Sequence, residues 1–387
     1  MHLTCRVALK PTKEQEKLFI KYADAARFVY NFSLNLKSEA YQKDGVSLSS
    51  NDITNIITHI KYDDKYRWLS EVPNTVIIQA VRDLDSAFKK FFQGAGYPKF
   101  KKKSKTDPAF YVRNNVLHSI DSRHIKICGI KTPVKTYEEC LIPDKPANPR
   151  IKYDGKYWYL TYGVEILPKN KEVPVIKNKL KVCAELQSKE VTDPLGIDLG
   201  IKHTAVCSNI QVYENINKTP EIIRLETKKK RLQQQLSRKY EMNKQGNELI
   251  KTKNIIKLEK QLKLVQRRMN NIRNTYIHQM TSEIVKTKPS KIVLENLAIS
   301  NMMKNKYVAK AIQEQNMYKI RQCIEYKAAL YTIPVQLAPR TYPSSKTCSN
   351  CGYINKNLTL SDRTYTCPNC GLVIDRDLNA SINLSKL

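Results

Sequence analysis

The sequence predicts a multidomain α/β protein that combines a small β-barrel or sheet, a helical insert and a zinc-binding module. Three observations support this prediction: apolar residues change from a period of two to a helical period and back in the N-terminal half, apolar strands alternate with helices in the C-terminal half, and paired cysteines stand near the end. The length of 387 residues suits two or three domains.

The N-terminal half alternates between strand and helix patterns. Side chains of "HLTCRVALKPT" and "PRIKYDGKYWYLTYGVEI" alternate with a period of two, and Asp154-Gly155 predicts a tight hairpin turn in the second stretch. Residues 14–92 keep apolar side chains three and four positions apart, which is typical of helices. We therefore expect a barrel or sheet interrupted by a helical insert, followed by a linker at residues 167–179.

The C-terminal half predicts strands that carry acidic residues. "DPLGIDLGIKHTAVCS" predicts two strands joined by a glycine turn, and "KIVLENL" predicts another. Between them, the leucine spacing in residues 221–286 suits an antiparallel pair of helices that breaks near residues 243–247. A further helix at residues 313–331 leads to the cysteines, and a last helix closes the chain.

The charge of the chain favours a polyanionic partner. Its 67 Lys and Arg outnumber 36 Asp and Glu, for a formal net charge of +31, which disfavours the compact state unless a partner such as nucleic acid neutralises it. A membrane partner is not expected, because no window approaches the roughly 20 apolar residues of a spanning helix, and Arg6 and Lys10 interrupt any signal-peptide pattern. We expect a cytoplasmic, nucleoid-associated protein.

A basic loop follows the helical insert in "GAGYPKFKKKSKTDPAFYVR". Clustered cations beside aromatic rings favour nucleic-acid binding, with lysines on phosphates and Tyr97, Phe100 and Phe110 stacked on bases. A merely solvated basic loop is the alternative. The predicted binding residues are Tyr97, Lys99, Lys101, Lys102 and Lys103, with Lys105 in the same loop.

The ten cysteines fall into two groups. Six are scattered singly and are expected to be reduced, mostly buried thiols: Cys5, Cys128, Cys140, Cys183, Cys207 and Cys323. The other four form "CSNC" and "CPNC", each followed by glycine, with fifteen residues between the pairs. This spacing predicts one Zn²⁺ held by Cys348, Cys351, Cys367 and Cys370; a redox pair is the alternative for either motif alone.

Three acidic residues stand in apolar surroundings. Asp198 lies in a predicted buried strand, Glu295 ends another, and one aspartate of "DRDLNASINL" begins the last helix. A buried carboxylate is costly unless it is paired or binds a metal, so the three together indicate a metal cluster. Two Mg²⁺ ions in such a cluster would support hydrolysis of a phosphodiester. The alternative is that each acid only caps a turn or helix.

These motifs resemble those of a known family. "GIDLGIKHTAV", "IVLENLAIS" and "DRDLNASINL" are similar to the three RuvC motifs of the TnpB family, the transposon-encoded RNA-guided nucleases ancestral to type V CRISPR effectors. "YPSSKTCSNCG" and "YTCPNCG" resemble the zinc ribbon of that family, and "ARFVYN" and "GYPKFKKK" resemble its N-terminal signatures. The resemblance therefore covers nearly the whole chain.

The resemblance implies a specific architecture and a set of site residues. An RNase H-like (RuvC) nuclease domain would contain the inserted zinc ribbon, and a wedge-like β-barrel would be interrupted by a helical recognition domain. Matched to the motifs, Asp198, Glu295 and Asp377 would be catalytic, with Asp375 as the competing third acid. The expected domains are the barrel at 1–12 and 100–180, the recognition domain at 13–99, the nuclease domain at 190–340 and 371–387, and the ribbon at 341–370.

The resemblance also implies the activity. The chain would be an RNA-guided, Mg²⁺-dependent DNA endonuclease of a transposable element, with Zn²⁺, two Mg²⁺ ions and a guide RNA as cofactors. Its partners would be the guide RNA and target double-stranded DNA, with one protein chain for each guide RNA. Two alternatives remain open: a nuclease-inactive DNA-binding regulator, and an RNA-independent transposase or resolvase.

Overall fold

The computed structural model describes residues 2–103, 106–165, 192–246, 248–359 and 362–387. The predicted linker at residues 167–179, together with Lys105 and Cys183, lies outside the described residues. The chain divides into two compact units, Met1–Lys177 and Asn178–Leu387. Its finer division into barrel, recognition, nuclease and ribbon domains stays a prediction.

Three helices in the first unit confirm the predicted helical stretch. The side-chain oxygen of Thr12 caps the first helix by accepting a hydrogen bond from the backbone N–H of Gln15, and Gly45, with a left-handed φ of 66°, ends it. The helices are α1 (Lys13–Asp44), α2 (Ser50–Ile60) and α3 (Asn74–Phe92).

A seven-stranded antiparallel sheet accompanies these helices in the described part of the first unit. The strands are β1 (His2–Lys10), β2 (Ala109–Tyr111), β3 (His118–Ser119), β4 (His124–Lys126), β5 (Val134–Thr136), β6 (Ala147–Tyr153) and β7 (Trp158–Glu165), in the order β2-β6-β7-β1-β5-β4-β3. The predicted hairpin at Asp154-Gly155 is confirmed, because β6 and β7 pair up to Tyr153 and Trp158. Closure of this sheet into a barrel stays a prediction.

The core of the first unit lies between α1 and the sheet. The ring of Phe19 in α1 contacts the rings of Phe110 and Trp158, with centroid distances of 5.6 and 5.2 Å. All three side chains are buried, so they stabilise the unit through their apolar area and edge contacts. The expectation that Phe110 stacks on a nucleic-acid base is wrong, because its ring belongs to this core.

The second unit is built on a five-stranded mixed sheet. Its strands are β8 (Leu195–Asp198), β9 (His203–Cys207), β10 (Val212–Glu214), β13 (Ile292–Leu294) and β14 (Val335–Leu337), in the order β10-β9-β8-β13-β14. The central strand β8 runs antiparallel to β9 and parallel to β13, which in turn runs parallel to β14. Nearly every residue of β8 and β13 is buried, as expected for strands covered on both faces.

The predicted antiparallel helical pair is confirmed as α4 (Pro220–Met242) and α5 (Lys253–Lys286), joined by a short hairpin of β11 (Lys244–Gln245) and β12 (Glu248–Leu249). Ion pairs and hydrogen bonds join opposite ends of the pair: the Tyr240 hydroxyl donates to Glu259 and Arg268 contacts Glu221. Four further helices follow: α6 (Ile299–Met302), α7 (Ala309–Gln315), α8 (Met317–Leu330) and α9 (Arg376–Ser385). In the described ranges, no helix is long and apolar enough to cross a membrane.

Candidate metal centres

Three predicted acids converge at one edge of the second unit's sheet. Asp198 ends β8, and Glu295 follows β13 directly; the two strands are parallel and pair up to Ile197 and Leu294. The carboxyl ends of both strands therefore meet, and the side chains of Asp198 and Glu295 hydrogen-bond to each other. Asp377, the second residue of α9, lies close enough for its charge to act on Asp198.

The electrostatics of this cluster disfavour three negative charges. Burial, followed by the charges of Glu295 and Asp377, raises the pKa of Asp198 well above its ordinary 3.8, and Arg376 partly opposes this. Burial also raises the pKa of Glu295, although its hydrogen bond from Asp198 acts in the opposite direction. Without a cation, Asp198 and Glu295 are thus expected to share a proton. Buried acidic oxygens of this kind are the donor set that Mg²⁺ prefers.

Asp375 has a different role from Asp377. Its side chain caps α9, because Oδ1 accepts hydrogen bonds from the backbone N–H groups of Asp377 at 2.9 Å and Leu378 at 3.1 Å. Asp375 is exposed, whereas the side chain of Asp377 keeps only 15% of its surface accessible. The geometry therefore favours Asp377 as the third acid of the cluster, although its catalytic role stays a prediction.

Helix α9 lies directly on the backbone of β8. A Cβ atom at Gly196 would stand 1.9 Å from the carbonyl oxygen of Ser381 and 2.4 Å from the amide nitrogen of Ser385, so a side chain at this position would push the helix away. The sequence analysis missed Gly196. The sequence signal for this contact is a glycine inside the strand, two residues before Asp198. The corresponding signal in the last helix is the small residues of its "NAS" stretch.

The four predicted cysteines form a compact cluster. Their sulfur atoms all lie within 4.8 Å of one another; Cys348 and Cys370 are 3.6 Å apart, and Cys351 and Cys367 are 3.5 Å apart. Sulfur atoms at the corners of a tetrahedral zinc site would be about 3.8 Å apart, given Zn–S bonds of about 2.3 Å. The cysteines therefore fit zinc. Within the described ranges, no other group of three or more His, Cys, Asp or Glu side chains has its ligand atoms this close together. The carboxylate oxygen atoms of Asp198, Glu295 and Asp377 are therefore farther apart than the four sulfur atoms.

An asparagine side chain from each cysteine motif donates a hydrogen bond to a cysteine sulfur of the other motif. Asn350 of the first motif donates to the sulfur of Cys370 at 3.7 Å, and Asn369 of the second donates to Cys351 at 3.5 Å. The hydrogen bond from Asn369 is the largest contribution that lowers the pKa of Cys351 to about 6. Amide donors favour the thiolate form, which is the form that binds metal. The sequence analysis missed both asparagines, although each immediately precedes the second cysteine of its motif.

Two buried asparagines connect the cysteine cluster to α9. Asn379 donates to the carbonyl oxygen of Thr347 at 2.7 Å and accepts from the Ser349 N–H at 2.9 Å. Asn383, one turn later, donates to the same carbonyl at 2.6 Å and to that of Ser344 at 2.8 Å. The first cysteine motif is therefore fastened to the helix that carries Asp377.

The basic loop of the first unit is partly used for folding. The backbone of Lys101 exchanges two hydrogen bonds with the side chain of Asn31, at 2.7 and 3.0 Å. Its ammonium lies 3.6 Å from the centre of the Tyr30 ring, and burial lowers the pKa of Lys101. Lys101 therefore anchors the loop to α1.

The other predicted residues of the loop are more accessible. Lys103 forms an ion pair with Asp24 at 2.7 Å, while Lys99 and Lys102 are exposed. Tyr97 is about half exposed, and its hydroxyl lies 3.0 Å from that of Ser38. Nucleic-acid binding by this loop stays a prediction, with Lys99 and Lys102 as the lysines best placed for it.

Comparison with known proteins places this chain in a family. Three family models match: "Helix-turn-helix domain" of the OrfB_IS605 type at residues 1–45, "Probable transposase" (OrfB_IS605) at residues 172–306, and "Cas12f1-like, TNB domain" at residues 318–384. In the structure, residues 1–45 contain one strand and one helix, β1 and α1, rather than two helices.

Full-length relatives and a solved structure were also found. A Streptomyces pristinaespiralis protein named "Putative RNA-guided DNA endonuclease" is 26% identical over 97% of this chain and 86% of its own length. The Escherichia coli K12 protein of the same name, InsQ, is 25% identical over 97% of this chain and 90% of its own length. The cryo-EM structure titled Cas12f1-sgRNA-target DNA complex aligns over 100% of both chains with 17% identity and a TM-score of 0.37, a value too low for inference. The motifs, the family models and these relatives agree that the chain belongs to the TnpB family, the OrfB-type probable transposases of IS605-type elements.

Proposed function

We propose that this protein is an RNA-guided DNA endonuclease of a transposable element, which hydrolyses phosphodiester bonds of target DNA. The observation that carries the proposal is the convergence of Asp198, Glu295 and Asp377 at one edge of a buried sheet. The names of the full-length relatives support the same activity. We further propose that the second unit is an RNase H-like (RuvC) nuclease domain with an inserted zinc ribbon, and that the first unit's sheet is a wedge-like barrel interrupted by a recognition domain.

The three carboxylates are proposed to hold two Mg²⁺ ions. Bound there, Mg²⁺ would supply Lewis acidity, activating a water and stabilising charge on the reacting phosphate. The protein's own contribution is to hold three acids from separate elements together at a cost in electrostatic free energy. The shared proton of Asp198 and Glu295 must leave before both can act as ligands, so we expect cleavage to rise with pH. Asp375 and Gly196 position the helix that presents Asp377.

The guide RNA is proposed to bind through the positive charge of the chain. The formal net charge of +31 disfavours the compact state unless a polyanion neutralises it, and phosphate contacts by lysine and arginine release counterions and stabilise the complex. We propose one protein chain for each guide RNA, double-stranded DNA as the target, and a cytoplasmic, nucleoid-associated location.

The guided reaction is tested with protein purified together with its RNA. The bound RNA is sequenced, and a plasmid that matches its 3′ portion is incubated with Mg²⁺ and either wild-type protein or the D198A variant. We expect wild-type protein to cut the matched plasmid and D198A to leave it intact. Cleavage that survives removal of the RNA would instead support an RNA-independent transposase or resolvase. Binding without cleavage by wild-type protein would support a nuclease-inactive regulator.

The role of the basic loop is tested by separating its exposed and anchored lysines. The Lys99→Gln/Lys102→Gln variant should bind RNA more weakly and lower the salt slope by about 2, one for each phosphate contact removed, while its melting temperature is unchanged. Lys101→Gln should mainly lower the melting temperature, because Lys101 anchors the loop. If the double variant keeps the wild-type affinity and salt slope, the exposed lysines are only a solvated face.

A further inference from the structure

A groove with aromatic walls lies in the first unit. It has a volume of about 840 Å³ and is formed by the second half of α1, the segment that leads into α2, the second half of α3 and Tyr97. We call it the aromatic groove; its apolar lining is Tyr41, Leu48, Phe88, Phe91, Phe92 and Tyr97. Leu48 and Phe88 also pack against buried core residues, whereas Tyr41 and Phe92 are largely exposed.

The rings of the groove contact one another to different degrees and differ in exposure. The ring of Tyr97 meets Phe88 and Phe91 edge-on, at centroid distances of 5.6 and 5.3 Å and interplanar angles of 89° and 81°. Its hydroxyl is held by Ser38. In contrast, Tyr41 is 68% exposed and Phe92 is 80% exposed. Several exposed rings around one groove form an apolar patch of the kind that marks a binding surface.

Charges around the groove indicate which ligand fits. Lys37 and Lys89 line it, and both approach a single acid, Asp85, at 4.0 and 3.2 Å. The lining is therefore net positive, with two lysines against one aspartate, and Lys90 follows Lys89 in the last turn of α3. A second copy of this chain would bring another formal charge of +31 and be repelled. A ligand with flat apolar faces and negative charge satisfies both the rings and the lysines.

We propose that the aromatic groove binds a single-stranded segment of nucleic acid, with unpaired bases stacked on Tyr41 and Phe92 and the adjacent phosphates near Lys37 and Lys89. Every base has a flat face, so stacking of this kind tolerates any sequence, and lysines hold the backbone. The inference rests on the proposed function, because it assigns a surface for part of the RNA or DNA that such an enzyme handles.

The test compares a single strand that has bases with one that lacks them. The Tyr41→Ala/Phe92→Ala variant removes two exposed rings, and Tyr62→Ala, which is 85% exposed in the same unit and outside the groove lining, is the matched control. Binding is measured for labelled oligo(dT), oligo(rU) and an abasic strand of the same length and charge, after melting curves establish that each variant is folded.

We expect the double variant to bind oligo(dT) or oligo(rU) about tenfold more weakly or worse, because each lost base stack is worth a factor of this order. Binding of the abasic strand and all binding by Tyr62→Ala should stay at the wild-type level. An equal loss on the abasic strand, or no loss on any strand, would overturn the proposal. Guided plasmid cleavage by wild-type protein is measured in parallel: if cleavage is absent while the base-dependent loss persists, the proposed function fails and the groove assignment stands.

Discussion

The second unit holds two clusters of candidate metal ligands that are built in opposite ways. The four cysteines come from two short motifs within residues 348–370, and the side-chain amides of Asn350 and Asn369 donate hydrogen bonds to two of their sulfur atoms. The three carboxylates come from residues 198–377, on two strands and a helix, and their charges oppose one another. The ligands of the cysteine cluster are thus close together in the sequence, and hydrogen bonds favour their thiolate form. The ligands of the carboxylate cluster are far apart in the sequence, and the fold brings them together although their negative charges repel one another.

Helix α9 connects these two clusters. Its Asn379 and Asn383 hold the first cysteine motif, its small residues lie on β8, and its first turn presents Asp377. The cysteine cluster can therefore help to position Asp377, an acid that belongs to the carboxylate cluster.

Removal of the metal from the cysteine cluster should have the largest effect. Structural zinc contributes on the order of 10 kcal/mol to a small module, so Cys348→Ser should lose its zinc and unfold the cluster. Metal analysis should find about one zinc for each wild-type chain and far less for the variant. Because α9 is fastened to this motif, DNA cleavage should fall as well.

Cys128→Ser is the control for this measurement, because Cys128 lies in the first unit and outside the cluster. Full zinc content in Cys348→Ser would rule out the assigned ligand. Loss of zinc with unchanged cleavage would break the connection between the two clusters.

Removal of the negative charge of Asp377 should have the second-largest effect, which is on the rate of DNA cleavage. Asp377→Asn should lower the rate of DNA cleavage by several orders of magnitude while RNA and target binding persist, because binding draws on the basic surface. Asp375→Asn is the matched change two residues earlier: asparagine still accepts hydrogen bonds at the helix N-cap, so most activity should remain. Both variants are assayed with Mg²⁺, RNA and a target plasmid. Efficient cleavage by Asp377→Asn would show that Asp377 is not the third catalytic acid.

A methyl group between the helix and the central strand should have an intermediate effect. Gly196→Ala places a Cβ against the backbone of α9, so the helix must shift, with a cost of about 1–3 kcal/mol or more. We expect a lower midpoint in urea unfolding and weaker cleavage, although no charged group has been changed. Gly96→Ala, where a Cβ meets open space, is the control for stability. A wild-type midpoint in Gly196→Ala would contradict the close contact of α9 with β8.

The charge repulsion within the carboxylate cluster should have the smallest effect on stability. Since the pKa of Asp198 is raised above 3.8 in the folded state, the folded protein binds more protons than the unfolded one between pH 3.8 and that raised value. Stability without Mg²⁺ should therefore fall as the pH rises through this window. Asp198→Asn removes the charge and should raise the melting temperature at neutral pH by a few degrees. An unchanged or lower value at neutral pH would argue against repulsion at this site.

Much of the local structure could be predicted from the sequence because its causes are local. The helical periods of residues 14–92 and 221–286, the Asp154-Gly155 hairpin and the spacing of the four cysteines each express a rule that acts over a few residues. Asp198 and Glu295 are conspicuous in the sequence because they are carboxylates at the ends of apolar strands, whereas Asp377 is chosen by its match to a motif. Phe110 was misassigned because an aromatic residue beside a basic loop has the same local pattern whether it faces a ligand or the core.

The residues that could act in the two clusters are identifiable from local sequence patterns, but how these residues meet depends on long-range packing. The motif match favours Asp377 over Asp375; in the structure, Asp375 caps the start of α9 and Asp377 lies near Asp198. Lys101 and Lys102 are neighbouring lysines, and burial against Tyr30 separates their roles. The roles of Gly196, Asn379 and Asn383 arise from contacts with residues far away in the chain, and such contacts exist only once the strands and helices have packed.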